Sequence, residues 1–436
     1  MEKNVKITII VVLFVFLMIY LIYAKFSREN NSEIIEANQI SSIFETIDKS
    51  NYAKITKYII YGTHFNLEGK IEIPKISKIY IDSANIVLKN DDDEIPLETD
   101  YEYKDGTLSF STIKKINDGI SLENIQDSNY LFLKVIYSSS EVKYYSLIND
   151  TKYGDLTYYS FSKNKIDIKF ENYNNIPYIS INSSKIDNLP ANVYDIVIDP
   201  SHGGSDSGAR KGKNTESEIV LKCAKNLKKK LENLGYKVFL TRDGSEAPNA
   251  DMSMNMYDDN GRINTAQESH AKLLISLNIN DVKSSKGGVE VYAPTQCNLD
   301  FAKMLASNIV KKAKTNYSSS NFFKAEKGVY VRYFTKADIE VYKLRAKNGN
   351  YEPYAITTST PYLYMIREIG GIATNAFIDG RNKYYGKNKY LDSNVGIEGY
   401  SIELGYMSVQ KDLNNIIKNQ DLYMDGIATA IKNCYK

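Results

Sequence analysis

Imidazole, carboxylate and carboxamide side chains gather in four short segments of the C-terminal half of this 436-residue chain. They are Asp199-Pro-Ser-His202-Gly-Gly204, Thr215-Glu216-Ser-Glu218, Ser276-Leu-Asn278-Ile-Asn280 and Ser401-Ile-Glu403-Leu-Gly405. Imidazole and carboxylate groups hold metal ions or carry protons. Each segment also has a plainer local reading. Glu216 sits at an acidic helix start, where the helix dipole stabilises a carboxylate. Glu403 resists such a reading, because burying a lone carboxylate in an apolar strand is costly. Cys223, Cys297 and Cys434 stand apart, with no C-x-x-C pattern or close His, as isolated thiols do rather than a disulfide framework or a zinc knuckle. Cys223 falls on an apolar helix stripe and is expected in the core. His64 has no carboxylate or thiol pattern around it, and His270 precedes its strand at the end away from these segments. His64 is expected at the surface or hydrogen-bonded, and His270 at the surface. Arg242 and Arg262 are expected to hold buried backbone or carboxylates.

The elements that must position these segments alternate between strand and helix. Ile196-Val197-Ile198 is a buried strand that ends in the first segment. From Glu218 to Leu234, Ile219, Cys223, Leu227 and Leu231 step by four, which predicts a helix ended by Gly235. Val238–Leu240, Leu273–Leu277, Val289–Tyr292 and Ser401–Leu404 read as strands; Gly261–Ser269, Leu299–Lys314 and Leu413–Asn433 read as helices. Such alternation predicts a three-layer α/β domain with its chemistry at strand ends. The stretch from Thr335 to Gly399 reads as a long loop between two strands, of a length that is either functional or disordered.

In order and spacing this half resembles the zinc-dependent N-acetylmuramoyl-L-alanine amidases of bacteria. The resemblance rests on VIDPSHGG, TESEIVL, FLTRD, LLISLNIND, GVEVY and SIELGYMS, each weak alone but in the family's order on the expected elements. It implies a peptidoglycan hydrolase that cuts the amide between N-acetylmuramic acid and L-alanine of the stem peptide with zinc-activated water. His202 matches the first zinc ligand and Glu403 the catalytic glutamate. Glu216 matches the second ligand; Glu218 competes, but Glu216 keeps the family's spacing to Leu221. Aromatic and polar residues between Thr335 and Gly399 suit a groove for glycan-peptide strands. Ser201 replaces a glycine, a tolerable change in a turn. Asn278 stands where the third ligand, a histidine, belongs. An amide oxygen is a poor donor to zinc, so the implied Zn2+ site is weakened or lost. A second reading therefore stays open: a catalytically degenerate amidase-fold protein that binds peptidoglycan or regulates an active hydrolase.

The first half carries no catalytic signature. Ile7 to Ala24 is uncharged and almost wholly apolar, close to the roughly 20 residues that span a bilayer. It exceeds the h-region of about 7–15 residues in a signal peptide and has no A-x-A-like site after it. Residues 1–28 are therefore expected to anchor the chain in the membrane by a single pass, with its bulk outside the cytoplasm. Residues 29–52 read as a linker. Residues 53–185 read as a β-sandwich-like accessory domain, from short runs of period two separated by turn clusters, available to a protein partner. Residues 192–436 read as the amidase-like domain, and the change of period near Asn182 predicts protease cutting between Asn182 and Val193 that leaves a folded C-terminal fragment. A net charge of +2 argues against a nucleic-acid binder.

Overall fold

Strand follows strand through the first half of the chain, as its two-residue alternation of apolar side chains requires. In this computed structural model, which describes residues 47–74, 80–90, 93–112, 119–246, 265–266, 269–282, 287–295, 297–348, 357–359 and 395–435, these are β1 (Ala53–Tyr61), β2 (His64–Glu72), β3 (Ile81–Lys89), β4 (Glu94–Pro96), β5 (Asp100–Lys104), β6 (Thr107–Ser111), β7 (Ile120–Ser121), β8 (Ser128–Tyr137), β9 (Val142–Asn149), β10 (Leu156–Tyr159), β11 (Asn164–Tyr173) and β12 (Ile176–Lys185). They form one sheet in the order β10-β11-β12-β8-β9-β1-β2-β6-β5, with β3 paired to β8. Ile55, Leu67 and Phe110 from one half of that sheet share a core with Leu131, Ile168 and Ile179 from the other. Two halves thus enclose one core, as in a sandwich, but they remain joined where β9 runs parallel to β1. Ile47, inside the stretch expected to be linker, is buried and bridges to Tyr144, so packing begins earlier than the sequence suggests.

The second half continues with β13 (Ile196–Pro200), β14 (Arg210–Lys211), β15 (Asn214–Thr215), α1 (Glu216–Glu232), β16 (Val238–Leu240), β17 (Leu273–Asn280), β18 (Glu290–Tyr292), α2 (Asp300–Ala313), β19 (Lys324–Glu326), β20 (Val329–Tyr330), α3 (Lys336–Asn348), β21 (Val395–Gly396), β22 (Glu398–Tyr406) and α4 (Gln410–Cys434). The sheet order is β16-β13-β17-β22-β18-β20-β19. Neighbours from β16 through β22 run parallel, and β18 turns antiparallel. The stripe Ile219, Cys223, Leu227 and Leu231 puts α1 into a core shared with α2, α4 and one face of the sheet. Val197, Leu274, Ala266 and Ala271 form a smaller cluster apart from it. A three-layer arrangement was expected, yet among the described residues α1, α2 and α4 share a single core. The helix expected at Gly261–Ser269 lies mostly outside the described residues, as does Arg262.

Thr335–Gly399 is not simply loop, since it contains α3. That helix, KADIEVYKLRAKN, carries no clear apolar stripe and exposes Val341 and Leu344; residues 349–356 and 360–394 lie outside the described residues. No described helix is long and apolar enough to cross a membrane, and the anchor expected at Ile7 to Ala24 lies outside the described residues. The two halves touch. Ile60 and Tyr61 of β1 pair with Val395 and Gly396 of β21, and Phe161, between β10 and β11, packs into the core of α1, α2 and α4.

Candidate active site

Strands β13, β17 and β22 run parallel and end on the same edge of their sheet, where α1 begins. Beyond β13 the chain takes a left-handed course at His202 (φ 60°), Gly203 (124°) and Gly204 (57°). This tight turn brings the imidazole over the start of α1. Nε2 of His202 lies 3.1 Å from Oε2 of Glu216, and Nδ1 lies 2.8 Å from Oδ2 of Asp206. Asp206 is itself fixed by the amide of Gly208, which donates to Oδ1 at 3.0 Å. Burial opposes charge on His202, but its hydrogen bonds to the Asp206 and Glu216 carboxylates, and their charges, push it up to about 9.

Glu216 is the first residue of α1 and is 4% exposed. Its Oε1 accepts the amide of Ile279 at 2.7 Å and its Oε2 that of Ala209 at 3.0 Å. The carboxylate therefore ties the helix start to the end of β17. Glycine is needed at position 208, where φ is 63° and a Cβ would fall 2.6 Å from Cδ2 of His202 and 2.7 Å from Oε2 of Glu216. Gly208→Ala is expected to destabilise the fold by about 1–3 kcal/mol through backbone strain and to weaken any metal held by the pair. Thermal unfolding and zinc titration would both have to be unchanged to refute this.

Register aligns the rest of the site. Asn278 of β17 pairs with Glu403 of β22, which pairs in turn with Glu290 of β18, so the three side chains share one face. The Asn278 amide donates to Ser276 Oγ at 3.1 Å and to Ser401 Oγ at 3.0 Å. Glu290 is buried and fully occupied, accepting from Ser318 (2.7 Å), Tyr406 (2.5 Å), Tyr292 (3.0 Å) and Asn280 (3.2 Å). Oε2 of Glu403, by contrast, is buried without a hydrogen-bond partner among the described residues. Burial and the nearby Glu216 and Glu290 carboxylates hold the Glu403 carboxyl well above the usual carboxylate range, against the pull of His202 and Arg332.

The fold thus brings His202, Glu216, Asn278 and Glu403 to one edge. Among the described residues no three His, Cys, Asp or Glu side chains group as a metal seat. His202 and Glu216 fit two ligands of a zinc ion, and the third place offers only an amide. Such a seat would be open and oxygen-rich. Arg242 donates to the carbonyls of Pro200, Ser201, Ser217 and Gly244, holding backbone as expected. Cys223 is in the core, His270 is exposed, and His64 bonds to Thr63. Sequence reasoning missed Asp206, Gly208 and Glu290. The last lies in a motif already noted, GVEVY, but only strand register reveals that it flanks Glu403.

The N-acetylmuramoyl-L-alanine amidase family matches residues 196–348. The chain is 32% identical over 143 residues to the N-acetylmuramoyl-L-alanine amidase LytC of Bacillus subtilis, covering 32% of this chain and 27% of that protein. It is 31% identical over 103 residues to the germination-specific N-acetylmuramoyl-L-alanine amidase of the same organism, covering 22% and 44%. The chain spans less than half the length of these curated relatives. Among solved structures, the amidase AmiC2 of Nostoc punctiforme is 19% identical with a TM-score of 0.35, covering 56% of this chain and 98% of that one.

Proposed function

We infer that this chain, whose C-terminal domain belongs to the N-acetylmuramoyl-L-alanine amidase family, is a peptidoglycan hydrolase that cuts the amide between N-acetylmuramic acid and L-alanine. The observation that carries this reading is the meeting of His202, Glu216 and Glu403 at one sheet edge. His202 and Glu216 would hold zinc, with Asp206 fixing the imidazole through Nδ1, as carboxylates do for metal-binding histidines. A bound zinc supplies Lewis acidity, polarising the scissile carbonyl and acidifying water. Glu403 lies on the same sheet edge, its Oε2 without a hydrogen-bond partner among the described residues. It takes a proton as water adds to the carbonyl carbon and returns it to the alanine nitrogen as the C–N bond breaks, a role suited to a carboxyl whose affinity for protons is raised. On this reading residues 1–28 anchor the chain in the membrane, 29–52 link, 53–185 form the accessory domain open to a protein partner, and 192–436 work outside the cytoplasm on peptidoglycan.

Asn278 sets the level of activity. With two good ligands instead of three, the isolated protein is expected to show low zinc occupancy and weak or absent cleavage. Asn278→His is expected to raise zinc affinity about 10–100-fold, at least the scale of outer-shell losses, and to increase muropeptide cleavage. Zinc titration and muropeptide analysis on both proteins test this. Tight zinc and full cleavage in the wild type would remove the argument from Asn278. No gain of zinc in Asn278→His would remove the assignment of that position. A second reading is favoured by the bonding of the Asn278 amide to Ser276 and Ser401, which gives the amide a settled place: a degenerate amidase fold that binds peptidoglycan or regulates an active hydrolase.

A further inference from the structure

A line of polar side chains crosses the strand ends beneath the site. Thr241 donates to Oδ1 of Asp199 at 2.6 Å, and Ser276 donates to Oδ2 of Asp199 at 3.0 Å. Asn278 follows, then Ser401. Directionality along this line is forced. A serine hydroxyl has one proton, and Ser276 gives it to Oδ2 of Asp199. Ser276 can therefore only accept from Asn278, which places Nδ2 of the amide against it. The second amide proton goes to Ser401. Both N–H groups of Asn278 are then spent on the sheet side, and Oδ1 is the atom left for the site. The next amide along the chain, of Ile279, is bound by Glu216, so position 278 is locked beside that carboxylate.

We propose that Asn278 is an oriented oxygen donor, and that the site is a one-nitrogen, two-oxygen seat adapted to a harder divalent cation such as Mn2+. The inference rests on the reading of His202 and Glu216 as metal ligands. Carbonyl and carboxylate oxygens suit Mg2+, Ca2+ and Mn2+, whereas imidazole favours zinc and the later transition metals. Zinc still binds more tightly than manganese in most sites of this kind, so the signature is a relative one. The zinc-over-manganese preference of this chain is lower than that of a variant with imidazole at position 278. Ser276 and Ser401 act as positioning residues. They do not touch the ion but hold the amide with its oxygen outward.

The test is calorimetric titration of the full metal-free chain with Zn2+ and, separately, Mn2+, on the wild type, Asn278→His, Asn278→Ala and Ser401→Ala. Circular dichroism and thermal unfolding confirm that each variant is folded. Asn278→His is expected to raise the zinc-over-manganese preference at least tenfold. Asn278→Ala is expected to weaken manganese about tenfold or more, and Ser401→Ala to weaken it by about 10-fold, the scale of an outer-shell loss. If Asn278→His binds zinc but wild type and Asn278→Ala bind both metals equally, the oxygen-donor inference fails while the His202–Glu216 seat stands. If Asn278→His binds no metal either, the seat itself is wrong and both fall. Manganese affinity lost in Asn278→Ala but kept in Ser401→Ala would overturn the positioning role of Ser401 alone.

Discussion

Glu403→Gln, placed in a chain that also carries Asn278→His, is expected to lower muropeptide cleavage by about 10²–10⁴-fold with zinc content unchanged. Glutamine keeps the shape of the side chain but cannot carry the proton between water and the leaving amine. A second readout moves in the opposite direction. Burial, Glu216 and Glu290 raise the Glu403 carboxyl in the folded protein well above its ordinary value of 4.5. The folded state therefore holds that proton more tightly than the unfolded state does. Its contribution to stability is full below pH 4.5 and is lost as pH rises through the folded value. The glutamine variant has no such loss. In chelator it should unfold at a higher temperature than its parent at pH 7, and the gap should close as pH falls toward 4.5. Slower chemistry with higher stability identifies a strained proton carrier. If activity and stability fall together, Glu403 is structural. If cleavage persists, another base does the work.

The sequence made most of this site legible, because its residues follow directly from elements with strong patterns. The apolar run Ile196–Ile198 placed His202 at a strand end, and the stripe of α1 placed Glu216 at a helix start. A carboxylate inside SIELGYMS had no bland explanation, and its Oε2 is buried without a partner among the described residues. What escaped lies in geometry that local patterns do not encode. Asp206 and Gly208 act through a left-handed turn, where the approach of backbone to His202 matters more than any motif. Glu290 and Glu403 become neighbours only through the antiparallel register of β18 and β22. The helix α3 lacks an apolar stripe and could not be told from loop. The joining of the two sheet halves by the parallel pair β9 and β1, and of the two halves of the chain by β1 and β21, are non-local pairings. The change of period near Asn182 marks a change of architecture, but it says nothing about whether the parts share a core.

They meet through Phe161, which joins the core of the second half, and Lys272→Met is expected to cost about 3–5 kcal/mol, the penalty for breaking a buried ion pair from one side. Lys272 lies just ahead of β17, with its side chain 4% exposed. Its ammonium donates to Asp195 Oδ1 at 2.7 Å and, across the junction, to the carbonyl of Tyr159 at 2.9 Å. It also sits 4.4 Å from the ring centroid of Phe161. That ring packs against Tyr236 and Tyr435 at 5.7 and 4.9 Å, and its backbone amide is captured by Glu123 of the β-rich half. Methionine fills similar space but leaves the Asp195 carboxylate buried with, among the described residues, the amide of Lys237 alone for support. Because the charge serves both halves, denaturant unfolding should remain one transition, shifted to lower denaturant with an unchanged slope. Adding Asp195→Leu to Lys272→Met should recover part of the loss, since a matched apolar pair is tolerated where a lone charge is not. The same contacts change the expectation for proteolysis. A fragment cut between Asn182 and Val193 loses Phe161 from its core and the Tyr159 carbonyl from Lys272, so it should melt below the intact protein. Lys272→Met within about 0.5 kcal/mol of wild type, the usual range of a surface change, would show that the halves fold independently. So would a fragment that melts with the whole chain. Either result would leave the β-rich half a tethered module instead of a wall of the α/β core.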